Sequence, residues 1–104
     1  MLKLVSFWIA LGVMASSGSP AFADADMLRK HNCVACHQNE RKMVGPSYKD
    51  IAAKYSADPA AAEKLAGKIR QGGAGVWGQM PMPPHPQLSE ADALKLARYV
   101  LTIK

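Results

Sequence analysis

Cys33-Val34-Ala35-Cys36-His37 is the stretch that decides how this chain is read. Two cysteines three positions apart, with a histidine directly after the second, form the attachment signature of a c-type haem. Each thiolate can add to one porphyrin vinyl group, and the histidine then lies under the iron with an imidazole nitrogen to offer. A thioredoxin-like redox pair also uses C-x-x-C, but it belongs beside a βαβ unit and needs no adjacent histidine. A zinc site requires a fourth ligand and ordinarily a second ligand pair. The signature therefore points to one covalently held haem c, with the rest of the chain built around it.

Upstream of this stretch the sequence reads as an export signal. Lys3 forms a short positive region, residues 4–15 are an apolar run, and Ala21-Phe22-Ala23 is a small-x-small cleavage site. The run is too short for a spanning helix, which needs about 20 apolar residues. Residues 1–23 are thus expected to be a cleaved secretory signal peptide and residues 24–104 one small domain. Of the basic residues only Lys3 leaves with the signal, so twelve basic side chains face eight acidic ones, a formal +4. That balance suits steering toward an acidic partner. No basic run or basic-aromatic interleaving suggests nucleic acid. A domain of 81 residues is small enough to need a staple. A disulfide across Cys33 and Cys36 would close too small a loop to serve, whereas a buried haem offers a large apolar surface to pack on.

Helical signals dominate the domain. It holds eight β-branched residues, many alanines and no clean alternation. A first helix is expected over residues 24–32, with Asp24 and Asp26 at its start and Arg29 and Lys30 near its end. Residues 38–46 read as a loop. Ser47 caps a second helix with Asp50 three positions on, and Tyr48, Ile51 and Tyr55 share a face. Asp58-Pro59 reads as the start of a third helix, with Ala62, Leu65 and Ile69 as its buried stripe and Gly72-Gly73 as its end. Residues 73–88 form a long loop stiffened by Pro81, Pro83, Pro84 and Pro86. Ser89 caps a last helix to about residue 103, with Ala93, Leu96, Ala97 and Val100 facing inward.

A haem iron held by one histidine needs a sixth ligand or an open face. Histidine with methionine is an electron-transfer pairing, and thioether ligation raises the potential. Met43 lies only six residues past His37, too near to return a sulfur over the opposite face. Met80 and Met82 lie on the proline loop. Met82, between Pro81 and Pro83, is the better candidate, because a confined backbone lowers the entropy lost on binding. His31 and His85 read as surface histidines, with His85 near enough to replace Met82 if that ligand were lost. Trp77 reads as core or as a donor from its indole N–H to a haem propionate, and Lys68 and Arg70 are further propionate candidates.

Taken together, Cys33 to His37, Lys42-Met43-Val44-Gly45-Pro46-Ser47-Tyr48-Lys49-Asp50, Gly75-Val76-Trp77-Gly78, Pro81-Met82-Pro83-Pro84 and the final Ala93 to Val100 helix resemble the small bacterial class I cytochromes c of the c-551/c-552 type. The resemblance spans nearly all of residues 24–104. It implies an all-α fold of four main helices around one haem. It implies that Met82 is the distal ligand to His37, that the Pro46 carbonyl accepts the other N–H of His37, and that Trp77 bonds a propionate. Lys68 falls where some relatives place an arginine near that propionate. His85 is a departure, standing where close relatives carry an asparagine that orients the methionine.

The expected function is a soluble periplasmic one-electron carrier, not an enzyme. The expected donor is a quinol-oxidising complex, the acceptor is a nitrite reductase or an oxidase, and the expected state is monomeric. Electrons would pass at an apolar patch near Val34, Ala35 and the proline loop, rimmed by Lys30, Lys42 and Lys49. A haem peroxidase or gas sensor is the alternative and would need a labile sixth position. A disulfide oxidoreductase would need free or paired thiols at Cys33 and Cys36.

Overall fold

The computed structural model describes residues 25–104, together with Gly12. The expected signal peptide, its cleavage site and Asp24 lie outside these residues. The described chain is all-α: α1 (Ala25–Lys30), a single 3₁₀ turn (Cys33–Ala35), α2 (Tyr48–Tyr55), α3 (Ala61–Gln71) and α4 (Glu90–Leu101). Among the described residues β structure is limited to two isolated bridges, His37 with Lys42 and Gly73 with Met82. No described helix is long and apolar enough to cross a membrane.

Local chemistry explains most helix boundaries. Ser47 and Ser89 are extended N-cap residues, each accepting a backbone N–H three positions on, from Asp50 and Asp92, at 3.1 Å. The start of α2 is satisfied further by the first loop, since Tyr48 N–H donates to the Gln38 carbonyl and Lys49 N–H to that of Asn39. An N-terminal turn leaves its first N–H groups without helical partners, and here those of Tyr48, Lys49 and Asp50 each find one. Helix α1 ends at Lys30, earlier than expected, because Asn32 adopts a left-handed backbone with φ 60°. Helix α3 starts at Ala61, later than Asp58-Pro59 suggested. Asp58 does accept a backbone N–H, from Ala60 at 2.8 Å, but it caps a turn that precedes the helix.

Helix α4 packs across α3 and α2. Its expected inward face is borne out: Ala93, Leu96, Ala97 and Val100 are buried, and Leu96 is wholly enclosed at 0% exposure. Leu96 joins Leu28, Tyr48, Ile51, Leu88 and Val100 in the main core, so truncating it to alanine would cost roughly 2–5 kcal/mol. Ala66, Ala93 and Ala97 form a seam of small side chains where α3 and α4 approach closely. The expected stripe on α3 is only partly right. Its buried residues are Ala61 and Ala66, whereas Leu65 and Ile69 are half-buried and form part of a cavity wall.

Candidate functional site

A cavity of about 350 Å³ opens between the Cys33–His37 segment, α2, α3 and the second loop. Its volume falls in the range of small-molecule and cofactor sites, which are concave and mostly apolar. Cys33, Cys36 and His37 line it, as do Leu65, Ile69, Leu96, Val100, Trp77, Lys68 and Met82. Among the described residues no group of three or more histidine, cysteine, aspartate or glutamate side chains gathers into a metal cluster.

His37 is held on several sides. Its Nδ1 donates to the Pro46 carbonyl at 2.7 Å. A carbonyl can only accept, so this bond places the proton on Nδ1 and leaves Nε2 with its lone pair. A second partner of this kind fixes both the tautomer and the ring direction of a ligating histidine. The backbone of Gly45 lies against the ring: a Cβ there would come within 2.5 Å of His37 Cε1. Tyr48 stacks on the imidazole with centroids 5.5 Å apart and planes 28° from parallel. The Pro46 expectation therefore has its geometry. Gly45 and Tyr48 are contributions the sequence did not suggest, because each depends on how the first loop closes.

Both cysteines are half-buried, with no disulfide between them. Burial, more than its neighbour Cys36, pushes the Cys33 thiol above its ordinary value, against a backbone hydrogen bond acting the other way. Burial also pushes the Tyr48 hydroxyl far up. That hydroxyl is enclosed without a hydrogen-bond partner.

The methionines separate by their surroundings. Met43 is exposed and does not line the cavity. Met80 is 66% exposed. Met82 is half-buried and clamped by its backbone: its N–H donates to the Gly73 carbonyl at 2.8 Å, and Gly73 N–H donates back at 3.0 Å. Gly72 makes the clamp possible. Its φ of 67° and ψ of −165° belong to a region that essentially only glycine occupies. A Cβ at Gly72 would lie 2.4 Å from the Met82 carbonyl oxygen. Further along, His85 N–H donates to the Ile69 carbonyl at 3.0 Å, so the loop is tied to α3 beyond the methionine too.

Several sequence expectations change. Trp77 is not core; it is 40% exposed at the cavity wall, with Lys54 Nζ 5.4 Å from its ring centroid. Lys68 lines the cavity, but Arg70 does not. Arg70 turns to α4, bonding the Leu88 carbonyl at 3.0 Å and the Glu90 carboxylate at 3.3 Å. His31 and His85 are half-buried, not surface residues, and His85 Nδ1 is enclosed without a partner. Lys49 is drawn to Glu40 at 3.5 Å, while Lys42 remains at the cavity wall.

The family model for cytochrome c matches residues 16–104. This chain belongs to the cytochrome c family. It is a small class I c-type cytochrome. It is 55% identical over 98 residues to cytochrome c-552 of Nitrosomonas europaea, covering 90% of this chain and 95% of that one. It is 46% identical over 83 residues to cytochrome c-552 of Hydrogenobacter thermophilus, covering 80% and 84%. The crystal structure of the wild-type Nitrosomonas europaea cytochrome c552 superposes with a TM-score of 0.75 at 59% identity, covering 78% of this chain and all of that one. The fold is therefore the class I cytochrome c fold, and the cofactor is covalently attached haem c. The cavity fits that group: its wall is chiefly apolar, two thiols and an imidazole with a free Nε2 border it, and a half-buried thioether lines it as well.

Proposed function

We propose that this cytochrome is an exported, soluble one-electron carrier in which Cys33 and Cys36 hold haem c as thioethers and His37 and Met82 bind its iron. When bound, the haem supplies a metal that changes its charge by one unit. The protein's own residues supply the rest. The Pro46 carbonyl orients His37 and raises its basicity. The Gly73–Met82 backbone pair fixes where the Met82 side chain leaves the main chain, so less entropy remains to be lost when the sulfur binds. Leu65, Ile69, Leu96 and Val100 keep the cavity poor in water. Trp77 and Lys68, both at the cavity wall, are the proposed donors to the propionates. No bond of a substrate is made or broken in this scheme, so the protein is a carrier and not an enzyme.

The observation that carries this reading is the pairing within one apolar cavity of an Nδ1-anchored histidine with a backbone-clamped methionine. Export is part of the proposal: residues 1–23 are removed after Ala23, and residues 24–104 work in the periplasm as a monomer. A quinol-oxidising complex is the proposed donor, and a nitrite reductase or an oxidase is the proposed acceptor. Redox encounters of this kind use small, transient interfaces. Val44, Val76, Trp77 and Met80, all exposed at the cavity lip, provide an apolar contact of that sort. The positive charge sets the approach rate, so rates with an acidic partner fall as salt rises.

Intact mass and a pyridine haemochrome spectrum, measured on protein matured in a host that assembles c-type cytochromes, test the reading together. The expected mass is that of residues 24–104 plus one haem. A colourless protein, or one with the mass of bare polypeptide, would sink it. A ferric sample that is high-spin and takes up azide freely would instead favour a peroxidase or gas sensor.

A further inference from the structure

We propose that Tyr48 is a positioning residue for His37, setting the plane of its imidazole through ring contact and not through its hydroxyl. The inference rests on the ligation by His37 proposed above. One hydrogen bond from Nδ1 to the Pro46 carbonyl fixes where that nitrogen points. A hydrogen bond tolerates bending, so it restrains the ring plane without locking it. Two neighbours restrict the plane further. The Gly45 backbone blocks the ring at Cε1. Tyr48 covers a face, at a centroid distance and tilt within the range of offset-stacked aromatic pairs.

Tyr48 is itself immobilised, as a positioning residue must be. It is 3% exposed and belongs to the main core with Ile51 and Leu96. It is the first residue of α2, directly after the buried capping Ser47, and its N–H is bonded to Gln38, the residue after His37. Ligand and support are thus joined by one short loop, through backbone at Gln38 and through rings at His37. The hydroxyl takes no part in this. No described protein group hydrogen-bonds it. The ring, not the oxygen, accounts for the position of Tyr48 over the imidazole.

Proton NMR of the ferric, haem-loaded protein tests the proposal, because the spread of the haem methyl shifts follows the orientation of the axial ligand planes. Wild type, Tyr48→Phe and Tyr48→Leu are compared, with the methionine–iron charge-transfer band as a check that the sixth ligand is unchanged. Tyr48→Phe is expected to keep the wild-type methyl pattern, and Tyr48→Leu to redistribute it while keeping the band. A leucine variant with the wild-type pattern overturns the proposal. So does a phenylalanine variant that redistributes the shifts as leucine does. If the leucine protein does not accumulate with haem, Tyr48→Met takes its place with the same reading. Failure of the underlying ligation is separately visible, since the His37 ring protons of the wild type would then lack hyperfine shifts.

Discussion

The two loops that bring donors to the cavity solve the same problem by different means. Residues 38–46 hold an imidazole by surrounding it: a carbonyl at Nδ1, a glycine backbone at Cε1 and an aromatic ring over a face. Residues 73–88 hold a thioether by fixing only the chain that carries it, through the backbone pair between Gly73 and Met82. The contrast follows from the chemistry of the donors. An imidazole is directional in three dimensions and has a second nitrogen to anchor. A thioether has no proton to give and is only a weak acceptor, so its position must come from its backbone.

Several substitutions break or sharpen this comparison. The largest effect is expected from Met82→Ala: the potential falls, the charge-transfer band is lost, and the ferrous protein binds carbon monoxide. Met80→Ala leaves all three nearly as they are. Loss of the band in the Met80 variant alone would reverse the ligand assignment. Gly72→Ala comes next. It forces a side chain into a glycine-only backbone region, at a cost of order 1–3 kcal/mol, and presses it against the Met82 carbonyl. Thermal unfolding is expected to come earlier and the methionine–iron band to weaken, while the protein keeps its covalently held haem.

Gly45→Ala probes the other loop. The new methyl would displace the His37 ring and stretch its bond to Pro46, so the potential is expected to shift while the methionine band persists. Equal loss of the band in the Gly45 and Gly72 variants would mean that the two loops do not act separately. The smallest effect is expected away from both. The Lys64 ammonium, 2.7 Å from Asp58, and the Ala60 N–H hold the Asp58 carboxyl below its ordinary value. A carboxylate lowered in the folded state stabilises fully above its unfolded pKa, near 3.9, and loses that contribution as pH falls through the folded value. Asp58→Asn is therefore expected to flatten the acid limb of a stability–pH curve slightly below pH 4 and leave the spectrum at pH 7 untouched.

Much of this was legible before the structure. The serine caps at Ser47 and Ser89 and the inward face of α4 were readable because their causes are local. Asp58 was misjudged by a turn, since an aspartate that caps a helix and one that closes a preceding turn leave the same trace in sequence. Leu65 and Ile69 have the right spacing but point at a cavity wall, and a helix cannot declare whether its apolar face meets protein or cofactor. Arg70 carried a charge suited to a propionate, yet Glu90 and the Leu88 carbonyl claim it from the far end of the second loop. The support of His37 by Gly45 and Tyr48 was not readable at all, because it exists only once the first loop has folded back on itself.

The clamp at Gly73 and Met82 uses main-chain atoms alone, and the eight residues between them bulge outward from it. Side chains in the bulge other than Gly75, Trp77, Gly78 and Pro81 can therefore change while the backbone pair that carries Met82 stays the same. Exposed positions such as Gln79 and Met80 can thus be varied to alter the surface at the cavity lip without moving the main chain that presents the thioether. Surface and ligand presentation are thereby assigned to separate parts of the same short segment.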